Sequence, residues 1–173
     1  MSSRVVVALR IAAPPERVFE AFTTEIAAWW RPNPLFAFTP RSPGVMAFEA
    51  LPEGEGEVGR RLVERLASGK VFEVGRVRVW TPGERLVVGW RQAAFSSDME
   101  TEVEVRFEAV DEGTRVTVEH RGWDSVPQPH VARHGFPGGL FLRRHGEWWR
   151  DLLGGLAVVA AARQQGAPGE RNT

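Results

Sequence analysis

The chain has 173 residues, and its 22 lysine and arginine residues balance its 22 aspartate and glutamate residues, so the formal net charge is zero. This length suits a single domain with a substantial hydrophobic core. A neutral chain without a clustered basic surface argues against nucleic-acid binding. The absence of cysteine excludes thiol nucleophiles, disulfides and thiolate metal ligands, and it fits a cytoplasmic location.

No segment has the length and apolar character of a membrane span. The longest apolar run, 152–162, is far shorter than the ~20 residues that a spanning helix needs. The apolar run near the N-terminus is short and is interrupted by Arg10, so we expect no signal peptide. We therefore expect one soluble domain over residues 1–165 and a disordered tail at 166–173. The arginine-rich, lysine-poor composition is typical of a GC-rich bacterial genome.

The first part of the chain predicts one strand and two short helices. Residues 3–12 form a short β-branched run that predicts the strand. Prolines at 14 and 15 followed by an acidic residue are a helix-start signal. A second short helix should follow, with Thr23 or Thr24 as its N-cap, and Pro32 should end it.

The middle of the chain predicts strands separated by turns, at 45–51, 59–66, 71–80, 85–91, 99–110 and 114–120. In 99–110, apolar residues alternate with charged ones, so one face should be buried and the other should be in water. The proline- and glycine-rich residues 121–138 predict a connection within the domain.

The last apolar stretch, 139–165, predicts a long amphipathic helix that covers the sheet. His145 falls within the apolar arc of this helix. The fold class is therefore α+β, with an antiparallel sheet whose single apolar face is covered by the helix. The apolar arc contains Phe141, Leu142, Trp148, Trp149, Leu152, Leu153, Leu156, Val159 and Ala160.

Four stretches of this sequence resemble a known superfamily when they are taken in order. They are PPERVFEAFTTEIAAWWRP, GRVRVWTPGERLVVGW, VEVRFEAVDEGTRVTVEHRGW and GEWWRDLLGGLAVVA. Together they resemble the START-like (SRPBCC) superfamily, and within it the homologues of the activator of the heat-shock-protein-90 ATPase. The resemblance extends from Arg4 to Ala162 and implies a helix-grip fold, in which a curved antiparallel sheet wraps around the C-terminal helix. It also implies a cavity for an apolar small molecule, but no particular activity.

His120 and His145 are the most informative polar residues, because both have inward parity, one on the last strand and one on the long helix. A histidine on an apolar face is more often a hydrogen-bonded core residue than a functional one. Glu73 either points inward or is turned to solvent by a bulge at Gly75. We expect the candidate pocket to be lined by Trp30, Phe48, Glu73, Trp90, His120, Phe141, His145, Trp149 and Leu152.

No metal, cofactor or catalytic motif is expected. His130 and His134 have the spacing of metal ligands on a helix, but no further ligand accompanies them and prolines crowd the segment. Their alternative interpretation, as exposed loop histidines, is favoured. The sequence contains no nucleophile elbow, P-loop or dinucleotide-binding motif.

The leading functional hypothesis is a binder of an apolar or aromatic small molecule, which is lipid-, polyketide- or metabolite-like, held between sheet and helix. A cyclase- or dehydratase-type enzyme is one alternative, and it requires His120 and His145, or one of them together with Glu73, to reach one ligand atom as acid and base. A co-chaperone-like interaction module is another, and an exposed apolar patch would favour it. Homodimerisation stays open.

Overall fold

The fold is a curved sheet covered by a long helix, and the computed structural model describes residues 3–33, 35–39 and 43–162 of it. The strand and helix types predicted from the sequence are confirmed in their predicted order. The elements are β1 (Arg4–Ile11), α1 (Pro15–Thr23), α2 (Ile26–Trp29), β2 (Val45–Ala50), β3 (Arg60–Arg65), β4 (Val71–Thr81), β5 (Arg85–Trp90), β6 (Thr101–Val110), β7 (Gly113–Arg121) and α3 (Gly138–Ala162). Short 3-10 turns at Trp123–Ser125 and Val131–Arg133 lie between β7 and α3.

The seven strands form one antiparallel sheet in the order β1-β7-β6-β5-β4-β3-β2. Strands β2 to β7 follow one another as a meander, whereas β1 pairs with β7 from the far end of the sequence. In that pairing Val5 lies opposite His120 and Val7 lies opposite Val118. The helix-grip arrangement implied by the resemblance is thus present.

The hydrophobic core lies between the inner face of the sheet and α3. Alternation along each strand places one set of side chains on this inner face. All of them are buried, as predicted: Leu86, Val88, Trp90, Val103, Val105, Phe107, Val116 and Val118. From α3, the buried residues are Phe141, His145, Trp148, Trp149, Leu152, Leu153, Leu156 and Ala160. Burying each of these leucine side chains contributes roughly 2 kcal/mol to folding. No helix among the described residues is long and apolar enough to cross a membrane.

The helix boundaries differ from the sequence prediction at the start of α2. The prediction that Thr23 or Thr24 caps α2 is wrong. Thr23 lies inside α1 and its hydroxyl donates to the main-chain oxygen of Phe19 at 2.8 Å, while Thr24 is the C-cap of α1. Glu25 instead precedes α2, without a side-chain capping bond. The predicted end of α3 at residue 165 lies outside the described residues.

The sheet bends at β4, where its register shifts against both neighbours, between Leu62 and Val63 of β3 and between Val77 and Val79 of β4 itself. A Cβ on Gly75 would lie 1.7 Å from the main-chain oxygen of Gly89. Only glycine fits this approach of β4 to β5. The bend supplies the curvature of the sheet around α3.

The outer face of β6 is less exposed to solvent than its alternating charged residues predict. The Glu104 side chain is only 3% exposed, because Arg85, Arg106 and Arg121 form ion pairs with its carboxylate. Burial alone would raise the pKa of Glu104, but the hydrogen bonds from Arg85 and Arg121 outweigh it and lower the pKa. The arginines thus cover this part of the outer face.

Candidate functional site

His120 on β7 and His145 on α3 meet in the core, between the sheet and the helix. The Nε2 atom of His145 lies 2.8 Å from the Nδ1 atom of His120. The two side chains are fully buried, with exposures of 0% and 1%. The predicted inward orientation of both residues is confirmed, and the two imidazoles contact each other directly.

The neighbouring donors determine which nitrogen of His120 carries the proton. The indole Nε1 of Trp149 donates to His120 Nδ1 at 3.2 Å, and an indole N–H can only donate. The proton of His120 is therefore on Nε2, which lies 2.9 Å from the hydroxyl oxygen of Thr101. The Thr101 hydroxyl in turn donates to the main-chain oxygen of Trp90, so it accepts from His120.

The same reasoning leaves one nitrogen of His145 with a lone pair. Because His120 Nδ1 has no proton, His145 Nε2 must donate the hydrogen bond between the two rings. A neutral imidazole carries only one such proton, so His145 Nδ1 is an acceptor. Within the described residues this buried Nδ1 has no hydrogen-bond partner. A buried acceptor without a donor is costly and calls for an explanation.

Aromatic rings surround His145. The distances from its ring centroid to those of Phe36, Trp123, Trp148 and Phe141 are 4.8, 5.0, 5.2 and 5.6 Å. The indole N–H groups of Trp123 and Trp148 are also buried and have no acceptor in the part of the chain described. The ring of His145, which has an unpaired acceptor, thus contacts the rings of Trp123 and Trp148, which each have an unpaired N–H donor.

Both histidines are neutral at physiological pH. Burial, and then the nearby His134, lower the pKa of His145 to about 3. Burial also lowers the pKa of His120 well below its ordinary value, with a smaller contribution from His145. In each case the low-dielectric surroundings disfavour the charged form of the ring. The site therefore presents hydrogen-bonding groups without a charge.

Most of the other residues predicted to line the pocket lie close to the two histidines. Trp30, a half-buried ring, contacts Trp90 at 5.6 Å and Trp149 at 6.1 Å between ring centroids. Trp90 contacts His120 at 5.8 Å, and Phe141 stacks on His145. The structure also buries Leu152 on the inner side of α3.

Phe48 and Glu73 lie away from the two histidines. Phe48 contacts Trp80, and the Glu73 carboxylate forms ion pairs with Arg61 at 3.4 Å and Arg76 at 3.6 Å. The inward orientation considered for Glu73 is wrong. The register shift between β3 and β4 inserts an extra residue next to Gly75, which turns Glu73 toward solvent.

Aromatic side chains fill the space where the sequence and the resemblance predict a cavity. The larger clefts among the described residues lie elsewhere. One of about 560 Å³ is lined by residues of β4, β5 and the following loop, including Trp90. Its Arg76 and Arg78 are already paired with glutamates. These two arginines are therefore not free to bind an anionic ligand.

A second cleft, of about 340 Å³, lies closer to the histidine pair. His134 lines it, and the ring of His134 contacts Phe36 at 5.7 Å. His134 and His130 are half-buried rather than exposed, which corrects the sequence expectation. No metal-binding group of residues is found within the part of the chain described, and His130 instead bonds to Ala94 and Ala132.

Sequence reasoning missed two members of the site. Thr101, which fixes the tautomer of His120, begins β6 and resembles any strand-end threonine. Trp123 lies in the connection 121–138, where no periodicity indicates which side chains are buried. The only signal for Trp123 is its residue type, because an indole this large is rarely left in solvent.

A family model described as "Activator of Hsp90 ATPase homolog 1-like protein" matches residues 12–141 of the chain. Among curated proteins, no sequence matches. Structures of similar fold include PFC0360w, an HSP90 activator from Plasmodium falciparum, which has 19% sequence identity and a TM-score of 0.59. That similarity covers 92% of this chain and 96% of the other.

Two more solved structures are similar in fold. The Aha1 dimer from Colwellia psychrerythraea has 19% identity and a TM-score of 0.58, over 91% of this chain and 95% of the other. Txn09, an anthrahydroquino-gamma-pyrone synthase, has 26% identity and a TM-score of 0.52, over 90% of this chain and 96% of the other. Proteins named for quite different roles thus share this architecture.

Proposed function

The chain belongs to the family of Activator of Hsp90 ATPase homolog 1-like proteins, and we propose that it uses this fold to bind an apolar or aromatic small molecule at His145, between the sheet and α3. A cytoplasmic location is part of this proposal and fits a chain without cysteine. The similar fold of Txn09, an anthrahydroquino-gamma-pyrone synthase, is consistent with a ligand that contains rings.

The observation that carries the proposal is the unpaired Nδ1 atom of His145. A buried histidine that only stabilises the core is expected to use both nitrogens, as His120 does with three partners. His145 uses one nitrogen, and its other nitrogen lies among aromatic rings. An apolar wall with a few polar groups is typical of small-molecule sites.

Binding is favoured over acid–base catalysis. A general base works best when its pKa is near the working pH, whereas the pKa of His145 is about 3. Both nitrogens of His120 are occupied within the protein, so the two imidazoles do not converge on one ligand atom. The cyclase-type mechanism with a histidine acid and a histidine base is therefore not proposed.

The proposal can be tested with N-phenyl-1-naphthylamine, a neutral probe whose fluorescence rises in apolar surroundings. We expect saturable binding of one probe per chain, confirmed by native mass spectrometry, and energy transfer from the tryptophans around His145. Introducing a larger side chain by His145→Trp should block binding, while Val158→Ala, at a position 70% exposed on the same helix, should bind as the wild type does. Probe fluorescence that rises without saturation, or that is the same in His145→Trp as in the wild type, would contradict the proposal.

A further inference from the structure

The chemical class of the ligand follows from the proton positions at His145, on the premise that the proposed binding site is correct. We infer that the ligand is a neutral aromatic molecule that donates a hydrogen bond, such as a phenol, and that the ring of Phe36 occupies the place of the ligand's ring in this structure. The proposal depends on three features: the contacts of Phe36, the neighbouring cleft and the direction of the hydrogen bonds.

Phe36 packs against the ring of His145 but does not give its Nδ1 atom a hydrogen-bond donor. Its ring stacks on Trp148 with a centroid distance of 5.1 Å, and it meets the ring of His145 nearly at a right angle, at 4.8 Å. The side chain is buried, with 4% exposure. A phenyl ring has no hydroxyl or N–H group, so it fits the space yet leaves His145 Nδ1 without a donor.

Phe36 contacts both His145 and His134, and His134 lines a cleft that is open to solvent. The cleft of about 340 Å³ is lined by three short segments, at 37–39, 92–94 and 131–134. His134 borders this cleft and contacts one side of Phe36. The ring of His134 stands next to both the Phe36 ring and this cleft, so the cleft is the nearest opening among the described residues through which a ligand ring could reach the Phe36 position.

The hydrogen bonds require a donor from the ligand. The main-chain oxygen of Trp90 accepts from Thr101, Thr101 accepts from His120, and His120 accepts from His145. Each proton in this series points away from His145 Nδ1, which therefore cannot donate to a carbonyl or ether oxygen. A phenolic O–H satisfies this nitrogen, and the phenolic oxygen can accept from an unpaired indole N–H of Trp123 or Trp148.

A charged ligand does not fit the same position. Both imidazoles are neutral, and within the described residues neither is bonded to a charged side chain. A carboxylate bound to His145 Nδ1 would place two acceptors against each other in a dry environment. The inferred class is therefore limited to neutral donors, which separates it from fatty acids and other anionic lipids.

Phenol and toluene provide a matched pair for the test, since a methyl group replaces the hydroxyl at nearly constant shape. Binding is measured by calorimetry on the wild type, on Phe36→Ala and on Phe36→Ala/His145→Leu. We expect Phe36→Ala to bind phenol about tenfold more tightly than the wild type does, because the space is vacated. We also expect Phe36→Ala to prefer phenol to toluene by about tenfold, and His145→Leu to remove that preference.

The possible failures are distinguishable. Equal affinity of Phe36→Ala for phenol and toluene would overturn the donor class, while leaving the proposed binding site in place. Absence of binding of either compound to any of the variants would overturn the proposed function as well. Equal phenol affinity of the wild type and Phe36→Ala would overturn the role given to Phe36.

A spectroscopic measurement on the wild type keeps the inference testable if Phe36→Ala does not fold. Long-range proton–nitrogen NMR spectra report which imidazole nitrogen is protonated. We expect His145 Nδ1 to give the signal of an unprotonated nitrogen, and phenol but not toluene to shift that signal. A protonated Nδ1 in His145, or a signal that phenol leaves unchanged at saturation, would overturn the inference.

Discussion

Mild acid should destabilise this protein through its two buried histidines. In the folded chain the pKa of His145 is about 3 and the pKa of His120 is well below 6.5, in both cases mainly because the rings are buried. In the unfolded chain both have ordinary values near 6.5. Below that pH the unfolded chain binds protons that the folded chain excludes, so the free energy of unfolding falls as the pH falls from 6.5.

The size of the effect follows from the linkage relation. Each imidazole that stays neutral in the folded state reduces the free energy of unfolding by about 1.4 kcal/mol per pH unit below 6.5. Between pH 6.5 and pH 5 this amounts to about 2 kcal/mol for His145, and His120 adds a loss of the same sign. Such a loss is a large fraction of the 5–15 kcal/mol typical of a whole domain. Burial also lowers the pKa of His134, which adds a change of the same sign.

The assay is urea unfolding followed by tryptophan fluorescence at pH 7 and pH 5, for the wild type and His145→Leu. Between pH 7 and pH 5, the free energy of unfolding of His145→Leu should fall by about 2 kcal/mol less than that of the wild type, because one of the two buried imidazoles is gone. Carboxylates with lowered pKa values, such as Glu104, titrate alike in both proteins, so the comparison removes them. Leu156→Ala, at a buried position on the same helix, should reduce stability equally at both pH values. Equal losses in the wild type and His145→Leu would refute the reasoning.

Two further predictions concern stability alone. Gly154→Ala should raise the free energy of unfolding by about 1 kcal/mol, because the added Cβ meets nothing within 4 Å on α3. Gly155→Ala should raise the free energy of unfolding by less, or lower it, because its Cβ would lie 3.2 Å from the main-chain oxygen of Trp29. If urea unfolding gave the same increase for both variants, this expectation would be contradicted. Glu104→Gln should lower stability by about 2 kcal/mol, because it removes the charge that three arginines surround. The exposed Glu108→Gln is its control, and similar thermal midpoints for the two variants would disprove the expectation.

Periodicity predicted the fold well because most of this sheet is an uninterrupted meander. The predicted strands begin and end within one or two residues of the observed bounds. Parity along β7 and the helical period of α3 correctly placed His120 and His145 inside. Glu73 shows where parity fails, since one extra residue in β4 reverses which side faces the core.

The candidate site was less predictable, because it depends on contacts between distant parts of the chain. Inward parity does not show that His120 and His145 lie 2.8 Å apart, which requires the position of α3 on the sheet. The role of Thr101 arises only from the pairing of β6 with β7, and Trp123 lies where no regular pattern exists. The resemblance implied a cavity, but it could not indicate that Phe36 and other rings would occupy this space.

The pairing of β1 with β7 has a consequence for how the protein acquires its site during folding. The strands β2 to β7 pair with their sequence neighbours through connections of at most ten residues, whereas β1 pairs with a strand more than 100 residues away. Val5 of β1 lies opposite His120, and α3 packs on β1 at Gly146, one residue after His145. During synthesis, therefore, the two histidines can meet only after α3 has been made, so the proposed ligand site is among the last regions to form.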